Sequence, residues 1–307
     1  MTKVFIDGSA GTTGLRIYER LGSRSDLELM ILPEELRKDP GARAEMLNTA
    51  DVAFLCLPDQ AAREAVELVT SAGTAIIDTS TAHRTNDGWT YGFPELTGKR
   101  SAVANSKRIA NPGCHASGFV ALIAPLVEQG MLKKDANLSC FSLTGYSGGG
   151  KKMIADYEAK DRSPLLGGPR QYGLTQGHKH LPEMVKLCGL DHAPAFCPIV
   201  GDFYSGMEVT VPVFASDLKG GIDEIKALYK DYYSTGLVRF TGEADPDGML
   251  SAAAFSGRDD MSVSVWGNDE RVILVSRFDN LGKGASGAAI QNMNILLGID
   301  ESTGLNV

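Results

Sequence analysis

The chain has five cysteines, and their odd number and wide spacing imply no disulfide framework. Cys114 is the one that stands where a reactive thiol is expected. It follows Asn111-Pro112-Gly113, a turn that can expose sulfur, and the apolar residues of 119–127 then recur at helical spacing. Cys114 is thus predicted at a helix N-terminus, where the positive end of the dipole favours the nucleophilic thiolate. The alternative is a small buried side chain, because free cysteines are usually buried.

A thiol nucleophile needs a base, and His178 and His180 offer one because the imidazole pKa lies near neutrality. At i, i+2 spacing, two side chains of a regular element cannot face the same side. We therefore expect one histidine to meet the thiolate and the other to point elsewhere. As alternatives to a catalytic base, His178 and His180 could be surface histidines in a turn, or they could form a zinc site with Cys188, His192 and Cys197. Since these spacings match no common zinc pattern, no metal is predicted.

A glycine-rich loop, GSAGTTG at residues 8–14, follows the first predicted strand and opens a helix. Small residues here let backbone N–H groups approach a pyrophosphate at the positive end of the helix. The cofactor-binding candidates in this loop are Gly8, Ser9, Gly11, Thr12, Thr13 and Gly14. Because the glycine spacing differs from the standard G-x-G-x-x-G, an ordinary strand-to-helix turn is the alternative.

The residues after the second predicted strand bear on the choice of dinucleotide. Glu34 or Glu35 stands where an acidic residue would bind the ribose of NAD. Arg37 and Lys38 follow directly and could instead hold the 2′-phosphate of NADP. A solvated charge run at a helix start is a third interpretation, and the residues alone leave the choice open.

Short apolar segments alternate with helical ones in the first third of the chain. The predicted strands are 4–6, 27–32, 52–57 and 75–78. Leu15, Tyr18 and Leu21 recur at helical spacing after the glycine loop, and residues 61–70 form a second helical stretch. This alternation is typical of an α/β fold with a Rossmann-like parallel sheet that is buried on both faces.

The pattern changes after about residue 110. Three longer segments, 138–143, 207–214 and 261–275, alternate apolar with polar residues, most clearly at 208–213 and 262–265. They predict a second, α+β domain with a largely antiparallel sheet buried on one face.

The final helical segment, 285–297, is apolar enough to dock back on the first domain. We therefore predict a dinucleotide-binding domain formed by 1–113 and 285–307. Residues 114–284 would form a catalytic and oligomerisation domain.

The composition is that of a soluble globular protein of 307 residues, about twice a usual domain, with 43% hydrophobic and 22% charged residues. A net charge of −8 argues against a nucleic-acid-binding surface. No apolar run approaches the roughly 18 residues of a membrane span, and the first strand begins too early for a secretion signal. We expect a cytoplasmic protein that binds neither nucleic acid nor membrane.

Eight segments together resemble the N-acetyl-γ-glutamyl-phosphate reductase family in its shorter bacterial form, which belongs to the aspartate-semialdehyde dehydrogenase-like superfamily. The segments are GSAGTTG (8–14), FLCLP (54–58), IDTSTAHR (77–84), YGFPEL (91–96), ANPGC (110–114), GYSGGGK (145–151), HKHLPE (178–183) and DNLGKGA (279–285). Their order and spacing are more specific than any one of them. The chain departs from the longer form of the family at His115, where that form has tyrosine.

The resemblance implies NADPH-dependent reduction of N-acetyl-γ-glutamyl phosphate to N-acetylglutamate 5-semialdehyde and phosphate, a step of arginine biosynthesis. Cys114 would be the nucleophile and form a thioester, and His180 would be the acid/base group. His180 is preferred over His178 because it directly precedes Leu181-Pro182-Glu183, where the match to the family is best.

Supporting roles complete the predicted site. The candidate substrate-binding residues are Arg84, Ser147, Gly148, Lys151, His178 and Glu183. Arg84 is the first choice for the acyl phosphate because arginine holds phosphate bidentately, whereas a surface arginine that caps a loop is the alternative. Lys151 is the next basic candidate, with Glu183 to orient it. Ser80 and Asn280 complete the cofactor-binding set, with Asn280 at the nicotinamide end.

Several alternatives stay open. The substrate could be aspartyl phosphate or an aminoadipyl derivative, as in related dehydrogenases and reductases. A regulator that binds a dinucleotide without catalysis is an alternative of another class. The broad second sheet and the resemblance also predict a homodimer or homotetramer.

Overall fold

The computed structural model describes residues 1–307 and divides into two compact units. Unit 1 consists of Met1–Gly113 and Ala285–Leu305, and unit 2 of Cys114–Gly284 and Asn306–Val307. The longest helix has 15 residues, and none of the helices combines the length and apolarity needed to cross a membrane.

Unit 1 contains a six-stranded sheet in which every pair of neighbours is parallel. Numbered along the chain, its strands are β1 (Thr2–Asp7), β2 (Leu27–Met30), β3 (Val52–Leu55), β4 (Ala75–Asp78), β5 (Thr90–Tyr91) and β6 (Arg108–Ala110). They lie in the order β2-β1-β3-β4-β6-β5, so the chain reverses direction across the sheet between β1 and β3. Ligands of such sheets bind outside the carboxyl ends of the strands at this switch point.

Helices cover both faces of this sheet. Those of unit 1 are α1 (Thr12–Leu21), α2 (Pro40–Thr49), α3 (Asp59–Glu67), α4 (Lys99–Ala104) and α9 (Gly287–Leu296). In β3, Val52 and Phe54 belong to the apolar cluster that includes α1 and α9, whereas Ala53 and Leu55 belong to the cluster of α2 and α3. The prediction of a parallel sheet buried on both faces is confirmed.

The buried face of α1 differs from the predicted one. Leu15 and Tyr18 are exposed, and the residues that turn inward are Gly14, Ile17 and Leu21. Gly14 fixes this rotation because a Cβ there would lie 2.4 Å from the carbonyl oxygen of Gly8. The glycine therefore has to face the loop, and the residues three and seven positions later follow it inward.

Unit 2 contains a seven-stranded sheet in the order β11-β12-β13-β10-β7-β9-β8. Its strands are β7 (Ser139–Gly145), β8 (Arg170–Gln171), β9 (Ala195–Gly201), β10 (Met207–Phe214), β11 (Val238–Phe240), β12 (Met261–Gly267) and β13 (Arg271–Phe278). Only the pairs β7–β9 and β11–β12 are parallel, which confirms a largely antiparallel sheet. The helices of unit 2 are α5 (Cys114–Glu128), α6 (Gly150–Glu158), α7 (Leu181–Cys188) and α8 (Ile222–Tyr232).

Two details of this sheet depart from the sequence prediction. The segment 261–275 is a hairpin of two strands, because Asn268 accepts hydrogen bonds from the backbone N–H groups of Glu270 and Arg271 and turns the chain. The alternation of β10 buries one face, as predicted, but Ser262 and Ser264 of β12 are also buried.

The serines are covered because the chain between β11 and β12 folds over that part of the sheet. Within this stretch, Asp245 pairs with Arg277 at 2.7 Å and Phe255 lies against the same guanidinium. Arg277 lies opposite Ser262 in the ladder between β12 and β13.

The predicted helix 285–297 begins later than expected. A π-helical turn, Gly282–Ser286, precedes α9, whose Ile290 and Met293 enter the core of unit 1. The last helix therefore returns the chain to the parallel sheet.

Candidate active site

Cys114 is the first residue of α5 and is half-buried. The first turn of α5 carries no acidic side chain, so no carboxylate on the helix opposes the positive end of its dipole. Gly284 lies close to the nucleophile, since a Cβ at this position would come within 2.9 Å of the Cys114 Cβ. The local structure therefore presents a thiol at a helix N-terminus, as predicted.

The other cysteines have different surroundings. Burial raises the pKa of the Cys56 thiol to about 12, and burial also raises the pKa values of Cys140 and Cys188. Cys197 is half-buried within β9, so it does not stand at a helix N-terminus. Cys114 is therefore the cysteine whose position best supports nucleophilic chemistry.

An aromatic cluster surrounds His115, the residue after the nucleophile. The centre of its ring lies 5.6 Å from that of His178, 5.5 Å from that of His180 and 5.4 Å from that of Phe196. Tyr172, just after β8, contributes a fourth ring at 6.1 Å. His115, which directly follows Cys114, is thus the centre of a cluster that contains both candidate bases.

Both ring nitrogens of His115 make short hydrogen bonds. Nδ1 lies 2.6 Å from Ser142 Oγ, and Nε2 lies 2.6 Å from Tyr172 Oη. Burial lowers the pKa of His115 to about 3, and the nearby His178 and Lys179 add to this effect. The imidazole is therefore neutral at physiological pH.

This buried histidine predicts a loss of stability in acid. Below pH 6.5 the unfolded chain binds a proton at this histidine that the folded chain does not bind until about pH 3. The free energy of unfolding should therefore fall by about 1.4 kcal/mol per pH unit in this range. Urea midpoints between pH 7 and 4.5 should fall more steeply for the wild type than for His115→Gln, with His192→Gln as an exposed control.

His178, Lys179 and His180 are present in both proteins, so they do not account for a difference between the two slopes. Parallel slopes in the wild type and His115→Gln would contradict this prediction.

The expectation that His178 and His180 point to different sides is wrong. Their ring centres lie 4.8 Å apart, and the backbone N–H of His180 donates to Nδ1 of His178 at 3.2 Å. Alternation applies to a strand or helix, but these residues lie in the turn before α7, where the chain folds both rings towards His115.

Glu183 lies close to His180. It is buried in the first turn of α7, and its Oε1 lies 3.9 Å from Nε2 of His180. Lys151 is exposed at the start of α6. Glu183 therefore lies close to the imidazole of His180, and its predicted role towards Lys151 stays a prediction.

Asn280 holds the loop after β7. Its Nδ2 donates to Ser147 Oγ at 3.0 Å, and its Oδ1 accepts from the backbone N–H of Gly206 at 2.9 Å. Ser147 is buried by this arrangement, whereas Gly148 is exposed. The amide of Asn280 thus shapes the predicted substrate loop, and contact with the nicotinamide remains a prediction.

The alternative zinc site has no counterpart in the geometry. His178 and His180 are neighbours, but Cys188 is buried at the end of α7 and His192 is exposed. No group of three or more histidine, cysteine, aspartate or glutamate side chains comes together in a way that could hold a metal ion.

In unit 1, the glycine loop lies at the switch point of the sheet and fits a dinucleotide. Gly8 has φ of +87°, and a Cβ there would lie 2.3 Å from the carbonyl oxygen of Cys56, which follows β3. A Cβ at Gly11 would approach nothing closer than 3.4 Å, so packing alone does not require glycine there. Since neither an acidic side chain nor a side-chain cap occupies the start of α1, its N–H groups remain suited to a pyrophosphate.

The candidates for the 2′-phosphate follow β2. Glu34 and Glu35 are exposed in a short 3₁₀ helix, and Lys38 is exposed just beyond it. Arg37 is half-buried, and its Nε is buried without a hydrogen-bond partner. Arg37 follows β2, the neighbour in the sheet of the strand that leads into the glycine loop. An unsatisfied guanidinium donor at this position favours an anionic ligand.

Replacing both Arg37 and Lys38 by alanine should raise the KM for NADPH about ten- to a hundredfold and leave that for NADH nearly unchanged. Loss of a hydrogen bond to a charged group accounts for a change of this size. Steady-state kinetics with each cofactor, with the exposed Arg63→Ala as a control, would measure it. A wild type that uses NADH better than NADPH would show that Glu34 or Glu35 binds the ribose instead.

A second arginine near this loop was not anticipated. Arg43 of α2 donates from Nε and Nη2 to Oδ2 of Asp7, at 3.0 and 2.8 Å. Asp7 is buried at the end of β1, directly before Gly8, and burial raises the pKa of this carboxyl. This ion pair ties α2 to the base of the glycine loop, and only a folded sheet brings the two residues together.

Ser80 and Arg84 are engaged with the protein's own groups. Ser80 donates to Asp78 at 2.8 Å, and its oxygen accepts from the backbone N–H of Ala82 at 3.1 Å. Arg84 donates from Nε to the carbonyl oxygen of Asn111 at 2.9 Å and from Nη2 to that of Thr79 at 3.1 Å. These contacts fix Arg84 to the turn that precedes Cys114 in the chain.

The partners of His115 are not predictable from its neighbours in the sequence. Ser142 lies on β7 and Tyr172 follows β8, so both are far from His115 in sequence. No local motif marks either residue. The one available signal was His115 itself, where this chain departs from the longer form of the resembling family.

Family models match both parts of the chain. The model described as "Semialdehyde dehydrogenase, NAD binding domain" matches residues 30–105. The model described as "Semialdehyde dehydrogenase, dimerisation domain" matches residues 114–280. The second match alone covers more than half of the chain and begins at the candidate nucleophile.

Solved structures show the same fold. Aspartate semialdehyde dehydrogenase II from Vibrio cholerae has a TM-score of 0.73 at 16% identity, and the match covers 97% of this chain and 98% of that one. At this identity the likeness concerns the fold alone.

Relatives of much higher identity share the full length of the chain. An N-acetyl-γ-glutamyl-phosphate reductase 2 from Nostoc sp. is 46% identical, and the match covers 99% of both chains. An N-acetyl-γ-glutamyl-phosphate reductase from Trichormus variabilis is also 46% identical over 99% of both chains. This chain belongs to the N-acetyl-γ-glutamyl-phosphate reductase family.

Proposed function

We propose that this protein reduces N-acetyl-γ-glutamyl phosphate to N-acetylglutamate 5-semialdehyde and phosphate with NADPH, a step of arginine biosynthesis. The observation that carries the proposal is the thiol of Cys114 at the N-terminus of α5, within unit 2, which also holds His180 with the carboxylate of Glu183 3.9 Å from its Nε2. The likeness to the reductases of Nostoc sp. and Trichormus variabilis supplies the substrate.

In the first half of the reaction, His180 accepts the proton of the Cys114 thiol. The thiolate then attacks the carbonyl carbon of the acyl phosphate, and the bond to phosphate breaks. The products are inorganic phosphate and a thioester on Cys114. Glu183 stabilises the imidazolium of His180 while it holds this proton.

The second half converts the thioester to an aldehyde. When bound, the nicotinamide cofactor supplies a hydride to the thioester carbon. His180 donates its proton to the oxygen on which negative charge develops, giving a hemithioacetal. The same imidazole then takes the proton back as the carbon–sulfur bond breaks, so the thiolate is regenerated and the semialdehyde leaves.

The dinucleotide fits unit 1 through two groups of residues. The loop of Gly8, Gly11 and Gly14 admits the pyrophosphate to the start of α1. Arg37 and Lys38 would hold the 2′-phosphate of NADP. Arg84, whose guanidinium donates to the carbonyl oxygens of Asn111 and Thr79, would bind the substrate phosphate.

The substrate is tested in the oxidative direction, with NADP and inorganic phosphate. We expect phosphate-dependent formation of NADPH with N-acetylglutamate semialdehyde and at least about a hundredfold lower kcat/KM with aspartate semialdehyde. Discrimination of this size is typical of a site that binds a substrate's polar groups. Preference for aspartate semialdehyde, or for an aminoadipate derivative, would replace the proposed substrate, and no turnover with any of them would favour the non-catalytic regulator.

We further propose that unit 1 with 306–307 acts as the dinucleotide-binding domain and that 114–284 carries catalysis and dimerisation. The outward face of the second sheet supports dimerisation. Phe141 of β7 and Ile273 of β13 lie on this face and are 44% and 40% exposed. Apolar side chains on a broad sheet face are suited to association with a second copy.

Ile273→Asp should convert the dimer or tetramer into a smaller species, because a charge in an apolar interface is strongly unfavourable. Sedimentation velocity at micromolar concentration would measure the change. Leu36→Asp, at a position 41% exposed in unit 1, is the matched control. A wild type that sediments as a monomer would contradict the proposed assembly.

A further inference from the structure

Cys114 has the backbone of another segment packed directly against it. This segment, residues 279–284, follows β13 and contains the start of the π-helical turn, and we call it the return turn. A Cβ at Gly284 would lie 2.9 Å from the Cβ of Cys114, a separation that Cβ atoms in proteins essentially never show. A shift of the return turn therefore changes the space that the side chain of Cys114 occupies.

A second glycine of the return turn is equally close to a different part of unit 2. A Cβ at Gly282 would overlap the carbonyl oxygen of Arg258, in the chain that leads into β12. No side chain thus separates the return turn from its neighbours at Gly282 or at Gly284. Because backbone packs here without a side chain whose rotation could absorb a shift, the position of the turn is passed on to Cys114.

The carboxylate of Asp279 anchors the beginning of the return turn. Asp279 is fully buried, and its Oδ1 accepts from the backbone N–H of Leu281 at 2.8 Å. Its Oδ2 accepts from the backbone N–H of Gly257 at 2.6 Å and from the hydroxyl of Ser205 at 3.1 Å. One bond therefore fixes the turn's own backbone, and the other two tie it to distant parts of unit 2.

The main chain of Asp279 connects this anchor to the nucleophile. Its carbonyl oxygen accepts from the backbone N–H groups of Gly282, at 3.1 Å, and Gly284, at 3.0 Å. Asp279 thus holds both glycines of the return turn through its carbonyl and anchors the turn through its carboxylate. The contact of Gly284 with Cys114 completes the connection.

We propose that Asp279 is a positioning residue that holds the return turn against Cys114 and so keeps the sulfur at the positive end of the α5 dipole. The inference rests on the proposed function, in which Cys114 is the nucleophile, and adds a residue that acts on it through Gly284. The dipole acts only within the first turn of a helix. The position of the Cys114 side chain therefore determines how strongly the thiolate is stabilised.

Three substitutions disturb this arrangement in different ways. Asp279→Asn keeps the shape of the side chain, but its amide nitrogen cannot accept from a backbone N–H group, so one anchor is lost. Ser205→Ala removes one hydrogen bond to Asp279 and leaves the charge of the carboxylate in place. Gly284→Ala introduces a Cβ 2.9 Å from that of Cys114 and displaces the nucleophile directly.

The readout is the rate of alkylation of Cys114 by iodoacetamide between pH 5.5 and 9.5, followed by peptide mapping to separate this residue from the other four cysteines. The pH at which the rate is half-maximal reports the stability of the thiolate and does not depend on the identity of the substrate. The other titratable groups of this region are the same in every variant: His115, Tyr172, His178, His180, Glu183 and Lys283.

Two controls account for the loss of a charge and for the loss of a buried hydrogen bond. Glu208→Gln removes a half-buried carboxylate from β10. Tyr233→Phe removes the hydrogen bond of 2.7 Å from the Tyr233 hydroxyl to the carbonyl oxygen of Ala121, in the middle of α5. Both residues lie outside the return turn, so the half-maximal pH should stay unchanged in both controls.

We expect each of the three test variants to move the half-maximal rate to higher pH. Alkylation at pH 7 should slow about three- to tenfold, the size of a helix-terminus effect on a charged group, and the rate at pH 9.5 should recover. The direction of the shift is diagnostic for Asp279→Asn. Removing a negative charge would by itself favour a nearby thiolate and move the profile to lower pH.

An unchanged profile, a shift to lower pH in Asp279→Asn, or an equal loss at every pH would overturn the proposal and leave Asp279 as a structural residue of the turn. If Gly284→Ala does not fold, Asp279→Asn and Ser205→Ala decide the question. Failure of the proposed reaction would appear separately, as absent turnover with N-acetylglutamate semialdehyde while the alkylation profiles shift as expected.

Discussion

Cys114→Ser is expected to lose nearly all turnover while still binding the dinucleotide. A serine hydroxyl remains protonated near neutral pH, so the helix dipole cannot supply a comparable nucleophile. The glycine loop lies in the other compact unit and is not altered by the substitution. Steady-state turnover, together with fluorescence titration of NADPH, would measure the two effects.

Cys197→Ser is the matched control, since it replaces a half-buried thiol of unit 2 that the proposed reaction does not use. It should retain its activity. If Cys114→Ser kept more than about a tenth of the activity, a barrier change below ~1.4 kcal/mol, the assignment of the nucleophile would be wrong.

His180→Asn is expected to lower kcat about 10²–10⁴-fold, the range typical of a positioned proton-transfer group. The imidazole of His180 is the one beside the buried carboxylate of Glu183, which can stabilise its charged form. The variant should also slow alkylation of Cys114 near neutral pH, because no base then accepts the thiol proton.

His178→Asn serves as the comparison. His178 is half-buried, and burial together with Lys179 lowers its pKa, so it is less suited to hold a proton. Its substitution should act mainly on KM. If His178 instead controlled both turnover and alkylation, the acid/base role would pass to His178, with the remainder of the mechanism unchanged.

Local sequence was sufficient to predict the strands, helices and turns that neighbouring residues determine. Short apolar strands such as Ala75–Asp78 predicted a sheet buried on both faces, and the structure confirms it. The turn before Cys114 likewise predicted the start of α5. In both cases, the residues that determine the feature are neighbours in the chain.

Other features depend on contacts that only the folded chain creates. The rotation of α1 follows from the close approach of Gly14 to Gly8, which overrides the spacing of Leu15 and Tyr18. Ser262 is buried although its alternation predicts exposure, because the chain between β11 and β12 folds over that part of the sheet.

The same limit applies to the candidate site. The sequence alone was enough to name site residues inside motifs, but not the residues that contact them in the folded chain. Asn280 holds the buried Ser147, and Glu183 lies close to His180. The partners of His115 are Ser142 on β7 and Tyr172 just after β8, and the order of these strands in the sheet is not evident from local sequence.

Trapping the thioester tests the central claim most directly. Enzyme mixed with NADP and N-acetylglutamate semialdehyde in the absence of phosphate should form about one NADPH per chain in a burst, as expected of an accumulating covalent intermediate. Peptide mapping of the quenched protein should find the N-acetylglutamyl group on Cys114, and added phosphate should release it. Full turnover in phosphate with no acyl group on Cys114, or with the group on another residue, would contradict a thioester mechanism through this cysteine.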